Sequence, residues 1–198
     1  MLREQADRYG LVVEGYCLMD NHMHLVATPP VEEALALAVG RTHFWYAQYF
    51  NRVHRRDGHL WQGRFHSCAL DTEHFWTAMK YIERHPVRAK LCRKPWRYEW
   101  SSAAAHVGEP TKADVLDLAA WHKRVSADQW RRELDTGLED ELIETLRVRT
   151  QTGRPWGNDA FLNKLERRLG RRVRALPVGR PRKTAQKKVV VNVKKRKK

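Results

Sequence analysis

The sequence predicts an α+β protein, because two short runs of strand-forming residues precede several segments with helical periodicity. The runs 11–19 and 22–28 are rich in valine and other β-formers, and the pair Asp20-Asn21 between them is typical of a turn. Together these runs predict a β-hairpin. Apolar residues recur at helical spacing from 31 to about 55 and from 72 to about 85.

Caps and breakers define the other elements. A short helix over 2–8 ends at Gly10, and Asp71 is placed to cap a helix that Pro86 limits. In the helix capped by Asp71, apolar residues recur at i, i+3, i+4 and i+7. They predict one buried stripe, made of Phe75, Ala78, Met79 and Ile82. The remaining segments are predicted as a strand at 64–70, polar helices within 113–148, a linker at 153–157 and a last amphipathic helix at 158–169.

Positive charge is concentrated at the C-terminal end. The chain of 198 residues has a net charge of +15, and residues 171–198 contain 13 Lys and Arg without Asp or Glu. Removing those 13 from the 38 basic residues leaves 25, against 23 acidic ones. The sequence therefore predicts a nearly neutral globular part over 1–170, followed by a basic disordered tail over 171–198 that binds nucleic acid.

The tail contains one more specific signal. Gly179-Arg180-Pro181, followed by Arg182 and Lys183, resembles the core of an AT-hook, which lays arginines into the minor groove of A·T-rich DNA. The alternative is a polybasic arm with sequence-independent, salt-sensitive affinity. Both interpretations make Arg180, Arg182 and Lys183 candidate DNA-binding residues.

Cysteine usage and the N-terminus indicate the compartment. Three cysteines without CxxC spacing suggest neither a disulfide framework nor a cysteine-based zinc site. Residues 1–8 are too polar for a signal peptide, and no apolar run approaches the roughly 20 residues that span a bilayer. We expect a cytoplasmic, nucleoid-associated protein.

A pair of histidines is the first candidate for chemistry. His22 and His24 are two residues apart on a predicted strand, so both imidazoles project from one face. Two neutral imidazoles this close form half of a divalent metal site. The alternative is two ordinary surface histidines.

The helix after Asp71 supplies a second candidate. Tyr81 and His85 are separated by about 40° on the helix, at the margin of the apolar stripe, where a phenol can be packed and still be reached. The alternative is a boundary tyrosine whose hydroxyl contacts water. His74 shares this margin.

Four motifs, in this order and spacing, resemble the REP-associated tyrosine transposases, which belong to the HUH (His, hydrophobic, His) single-tyrosine transposases of insertion sequences. They are MDNHMHLV at 19–26, GHLWQGRF at 58–65, YIERHPVRA at 81–89 and WSS at 100–102.

The resemblance implies a ferredoxin-like HUH domain over 1–109, a helical region over 110–170 and the tail. It implies an endonuclease and strand transferase that cuts and rejoins single-stranded DNA beside a palindromic hairpin through a 5′-phosphotyrosine. By position, His22 and His24 match the metal-binding pair and Tyr81 matches the nucleophile. The resemblance implies Mg²⁺ or Mn²⁺. His85 stands where the family usually has an amide ligand, and the all-histidine set shifts the preference from Mg²⁺, which favours oxygen, toward Mn²⁺ or a later transition metal. Related enzymes often act as dimers, so a homodimer is a further expectation.

Residues near the motifs are candidates for holding DNA. Arg64, Arg84 and Arg88 are suited to backbone phosphates, and Trp61 and Phe65 to stacking on unpaired bases. The alternative for each is a solvated charge or a core aromatic.

One expected element is absent from the sequence. Family members usually begin with a strand and a long helix, whereas this chain starts inside what would be that helix, which leaves a sheet edge open beside His24. An upstream start codon, a decayed copy or a second chain that fills the gap would each account for this. Three functions therefore stay open: an active transposase, a catalytically inactive DNA-binding relic, and an RNA-binding protein with an accidental HxH pair.

Overall fold

The structure is a computed structural model that describes residues 1–111, 114–176 and 179. It is α+β, as predicted. The described residues contain an antiparallel hairpin of two strands, β1 (Val12–Leu18) and β2 (Met23–Thr28). Helices α1 (Leu2–Tyr9) and α2 (Ala34–His54) flank the hairpin in sequence. The later helices are α3 (Thr72–Glu83), α4 (His85–Arg88), a 3₁₀ turn at Pro95–Arg97, α5 (Ala103–His106), α6 (Leu118–Arg124), α7 (Ala127–Asp135), α8 (Asp140–Thr152) and α9 (Asp159–Leu169).

The hairpin has a register that places the histidine pair. Cys17 pairs with His24 and Leu18 pairs with Met23. The Met19 N–H donates to the His22 carbonyl over 2.8 Å and closes the turn. His22 therefore belongs to the turn, one residue before the strand that was predicted to include it.

The two faces of the hairpin are covered by different helices. Val26 and Cys17 pack with α3 in one apolar cluster, whereas Leu25 and Ala27 pack with residues of α1 and α2 in another. Gly15 allows the close approach of α3, because a Cβ at this position would collide with the Met79 side chain. The arrangement is consistent with a shortened ferredoxin-like domain followed by helices.

Three of the four predicted stripe residues of α3 are buried, and the stripe joins the C-terminal helices in one core. The fourth, Phe75, is half-buried and packs against that core. Ala78, Met79 and Ile82 are each less than 5% exposed. The same apolar cluster contains residues of α6, α7 and α8, namely Trp121, Trp130, Leu134, Ile143 and Leu146. The segment 113–148 thus contributes large apolar side chains to the core, although its overall composition is polar.

Side-chain caps define the predicted helix starts. The Asp71 carboxylate accepts from the His74 N–H over 2.9 Å at the start of α3. Its second oxygen accepts from the Asn158 N–H over 2.8 Å, and Asn158 in turn caps α9. One carboxylate therefore connects the starts of two helices, and Gly10 ends α1 in the left-handed conformation, as expected.

The strand predicted at 64–70 is wrong. Within this segment only Leu70 makes a bridge, an isolated one to Trp156. A strand needs a ladder partner, and residues 64–69 pair with none of the described residues. The segment predicted as a linker carries the buried Trp156, which is 8% exposed, and is therefore part of the packed structure.

The candidate DNA-binding residues Arg180, Arg182 and Lys183 lie outside the described residues. Among the residues that are described, no helix is long and apolar enough to cross a membrane.

Candidate functional site

Three histidines converge at one end of the hairpin. His22 comes from the turn, His24 from β2 and His85 from the first residue of α4. One nitrogen of each ring lies within 4.8 Å of those of the other two. The ring centroids are 4.9 Å apart for His22 and His24, 5.1 Å for His22 and His85, and 4.7 Å for His24 and His85. The structure thus brings together the three residues that the resemblance names as metal ligands.

Tyr81 lies directly beside this cluster. Its ring centroid is 5.5 Å from that of His24 and 5.9 Å from that of His85. The residue is 5% exposed, so it is more buried than a margin position implies. Because α3 ends at Glu83 and Pro86 begins a new turn, His85 stays near Tyr81 after the helix ends.

Burial keeps two of the imidazoles neutral. Desolvation is the main cause that lowers the pKa of His24 to about 3, with smaller contributions from His85, His22 and two arginines. Desolvation, followed by the charge of Arg88, lowers the pKa of His85 to about 4. Neutral imidazoles are the form that binds metals.

The donor atoms fit a divalent cation. The buried Nε2 of His24 has no hydrogen-bond partner among the described residues, which is costly for a polar atom without a ligand. His22 Nδ1 donates to the Asn21 side-chain oxygen over 2.7 Å, which leaves its Nε2 lone pair available. His85 Nδ1 accepts from Arg88 over 2.6 Å. This bond places the ring proton on Nε2, so a metal at either nitrogen of His85 requires Arg88 to release the ring.

Two arginines contact the tyrosine. The Arg88 guanidinium carbon lies 4.3 Å from the centroid of the Tyr81 ring. Arg147 lies on α8. Its pKa is raised, mainly by its interaction with the Tyr81 side chain. Arg147 also pairs with Glu144 at 3.6 Å. The phenol is therefore flanked by two positive charges, one of them from a distant part of the chain.

Comparison with known families identifies the N-terminal part. The family model described as "Transposase IS200 like" matches residues 1–85. Residues 1–85 are thus similar to the IS200-like transposases. The matched segment contains His22, His24 and Tyr81 and ends at His85. No curated protein matches the chain. No solved structure matches it either. This match supports a transposase-like function and implies DNA as the partner.

Behind the IS200-like site lies a buried acid that sequence reasoning missed. Glu83 is fully buried, and its carboxylate accepts hydrogen bonds from Ser102 Oγ at 2.5 Å, His106 Nδ1 at 2.6 Å and Trp130 Nε1 at 2.8 Å. The Ser102 hydroxyl also accepts from the Tyr16 N–H over 3.0 Å. These bonds connect α3 to β1, α5 and α7 close to Tyr81. Glu83 lies in the motif at 81–89 and Ser102 in the motif at 100–102. These two motifs were the sequence signal that could have indicated the network.

Arg147 was also missed, and no local pattern in the sequence distinguishes it. It lies outside the IS200-like segment, on a helix that reaches Tyr81 only through packing of Ile143 and Leu146 in the core.

The predicted DNA-contacting side chains have different environments. Arg84 donates to the Leu134 carbonyl, and burial lowers its pKa. Arg64 is exposed. Trp61 stacks on His43 with centroids 4.1 Å apart, and Phe65 packs against the α1 and α2 cluster. Of this set, Arg88 is the one that contacts both Tyr81 and a histidine of the cluster.

His74, which shares the helix margin with His85 in the sequence, lies elsewhere. Its Nδ1 is 2.6 Å from the Asp71 carboxylate, and its ring lies 4.3 Å from that of Trp156. His74 is thus engaged at the start of α3.

Proposed function

We propose that the chain cuts and rejoins single-stranded DNA beside REP-type hairpins through a covalent bond to Tyr81. The observation that carries this proposal is the placement of the Tyr81 ring 5.5 Å from His24 within a cluster of three histidines. A phenol beside a group of neutral imidazoles suits an attack on a phosphodiester, because both the nucleophile and the phosphate can be oriented there.

In the cleavage step, the Tyr81 oxygen attacks phosphorus and loses its proton. A new bond forms between this oxygen and the phosphorus, and the bond from phosphorus to the 3′-oxygen of the upstream strand breaks. The 3′-oxygen takes up a proton, so the products are a 5′-phosphotyrosine and a free 3′-hydroxyl. Arg88 and Arg147 carry the positive charge that favours a developing phenolate.

His22, His24 and His85 would hold a divalent metal, Mn²⁺ or Mg²⁺. When bound, such an ion polarises the scissile phosphate and so favours attack. The histidines themselves supply neutral nitrogen donors. Arg88, once it has released His85, is free to contact a phosphate oxygen.

Rejoining reverses these bond changes with a second DNA end. A 3′-hydroxyl attacks the phosphotyrosine, the bond between phosphorus and the Tyr81 oxygen breaks, and the phenol recovers its proton. Each step exchanges one ester for another, so no nucleotide triphosphate is consumed. Arg64 and Arg84 are proposed to hold backbone phosphates near the site, and Arg180, Arg182 and Lys183 to hold DNA further away.

A Tyr81→Phe variant tests the assignment on a single-stranded hairpin substrate in the presence of Mn²⁺. We expect the wild-type chain to form an adduct that resists denaturing electrophoresis, and the variant to bind the same DNA without forming it. Tyr98→Phe, which alters another tyrosine, is the control and should keep the adduct. An adduct that persists in Tyr81→Phe would contradict the proposal.

Binding of the wild-type chain to hairpin DNA and to structured RNA distinguishes the two alternative functions. DNA binding without an adduct in the wild-type chain would indicate a catalytically inactive relic. Tighter binding to structured RNA than to hairpin DNA would instead indicate an RNA-binding protein.

A further inference from the structure

The C-terminal half of α2 exposes aromatic side chains that the site does not use. Phe44, Trp45 and Tyr49 are each more than 45% exposed. At 100° per residue they share one side of the helix, within an arc of about 140°, with Arg41 and Arg52. Exposure of large aromatic side chains to water is energetically unfavourable. Their clustering on one side of α2 therefore indicates a partner.

Part of this side forms a groove. Trp45, Tyr49, Arg52, Arg55 and Arg56 line a depression of about 1020 Å³ between α2 and the first turn of α1. We call these five residues the α2 groove. Met1, Glu4 and Asp57 also line the depression.

The charge of the groove identifies the class of partner. Residues 34–56 contain four arginines and neither Asp nor Glu. Arg41, Arg52, Arg55 and Arg56 are exposed, and none of them has an ion-pair partner in the described part of the chain. A polyanion would neutralise them. A second copy of this chain would bring the same arginines together, and the segment 171–198 has the same sign of charge.

The aromatic rings restrict the polyanion further. Exposed rings that alternate with arginines provide a stacking platform for unpaired bases together with contacts for the phosphates between them. Duplex DNA offers the phosphates but not the base faces. The combination therefore favours a single strand.

We propose that the α2 groove is a second binding surface for single-stranded DNA, separate from the tyrosine site. Helix α2 packs on the Leu25 face of the hairpin, whereas Tyr81 lies on the α3 side that Val26 faces. A strand in the groove is thus held on the opposite side of the sheet from the phosphate that is cut. The inference rests on the proposed single-stranded substrate but not on cleavage.

The test compares binding of the full chain to a labelled oligothymidylate and to a duplex of equal length, by fluorescence anisotropy with a chelator present. Trp45→Ala and Tyr49→Ala should each weaken binding to the single strand by about fivefold to a hundredfold and leave the duplex unaffected. Arg52→Gln should lower the salt slope by about 1. Arg132→Gln, an exposed arginine on α7, is the matched control and should preserve the preference for the single strand.

Trp45→Leu keeps an apolar side chain without a stacking face and should lose as much affinity as Trp45→Ala. Equal losses for single strand and duplex, or no loss in either, would overturn the inference. So would a wild-type dimer in sedimentation that Trp45→Ala converts to a monomer, since the groove would then join copies of the chain. If the binding results hold but no adduct forms on hairpin DNA, the proposed function fails and the α2 groove stands.

Discussion

Arg147 on helix α8 reaches Tyr81 on helix α3, and the interaction between these two side chains is the main cause that raises the pKa of Arg147. The two residues are far apart in sequence, and Arg147 lies outside the segment that matches the IS200-like family. The candidate nucleophile therefore depends on a helix that the family resemblance does not cover.

Arg147→Gln should slow both formation and reversal of the adduct, because a positive charge that interacts with the Tyr81 phenol is lost. Removal of such a charged group lowers the reaction rate by about tenfold to a hundredfold. Single-turnover kinetics on hairpin DNA measure both directions. Arg147→Lys should recover part of the rate, and Arg149→Gln on the same helix should be close to wild type. Equal rates in Arg147→Gln and the wild type would show that Arg147 has no part in the reaction.

Arg88→Ala should tighten the binding of Mn²⁺ by about tenfold. The variant frees the His85 nitrogen that Arg88 occupies at 2.6 Å, and it removes a positive charge from the ligand cluster. Isothermal titration calorimetry on the full chain without DNA measures this affinity. Arg93→Ala, which removes an exposed charge from the following loop, controls for net charge. Weaker metal binding in Arg88→Ala would mean that Arg88 supports the ligands instead of competing for one.

Glu83→Ala should destabilise the fold by about 3 kcal/mol or more, because three buried donors lose their acceptor at once. Ser102→Ala removes one of those donors and should cost about 1 to 2 kcal/mol. Urea denaturation followed by circular dichroism gives both values. Glu144→Ala, an exposed position on α8, is a suitable reference. A loss for Glu83→Ala no greater than that for Ser102→Ala would contradict a shared network.

Deletion of residues 180–198 should weaken DNA binding and flatten its salt dependence, because the segment contributes ten of the basic residues. Adduct formation at low salt should be preserved, since Tyr81 and the three histidines lie in the near-neutral part of the chain. Binding over a range of salt concentrations, with adduct yield measured in parallel, checks both statements. Loss of the adduct at low salt would show that this segment takes part in the reaction.

The sequence by itself determined the elements whose signals are local. The hairpin at 11–28, the Asp71 cap and the α3 stripe follow from turn residues, capping chemistry and periodicity, all of which act over a few residues. The spacing of His22 and His24 predicted that their rings lie together, although His22 lies in the turn and not on the strand. Helical spacing also predicted that Tyr81 and His85 lie close together, although α3 ends at Glu83 and His85 begins α4. The family resemblance supplied their proposed roles.

Only the tertiary structure decided which distant side chains reach the site. Arg147 contacts Tyr81, and Glu83 binds Ser102, His106 and Trp130, through the packing of α3 against the C-terminal helices. The failed strand at 64–70 has the same origin, because a strand forms only where the tertiary structure brings a partner strand alongside it. Such contacts are set by the burial of apolar surface across the whole chain, which no short window of sequence contains.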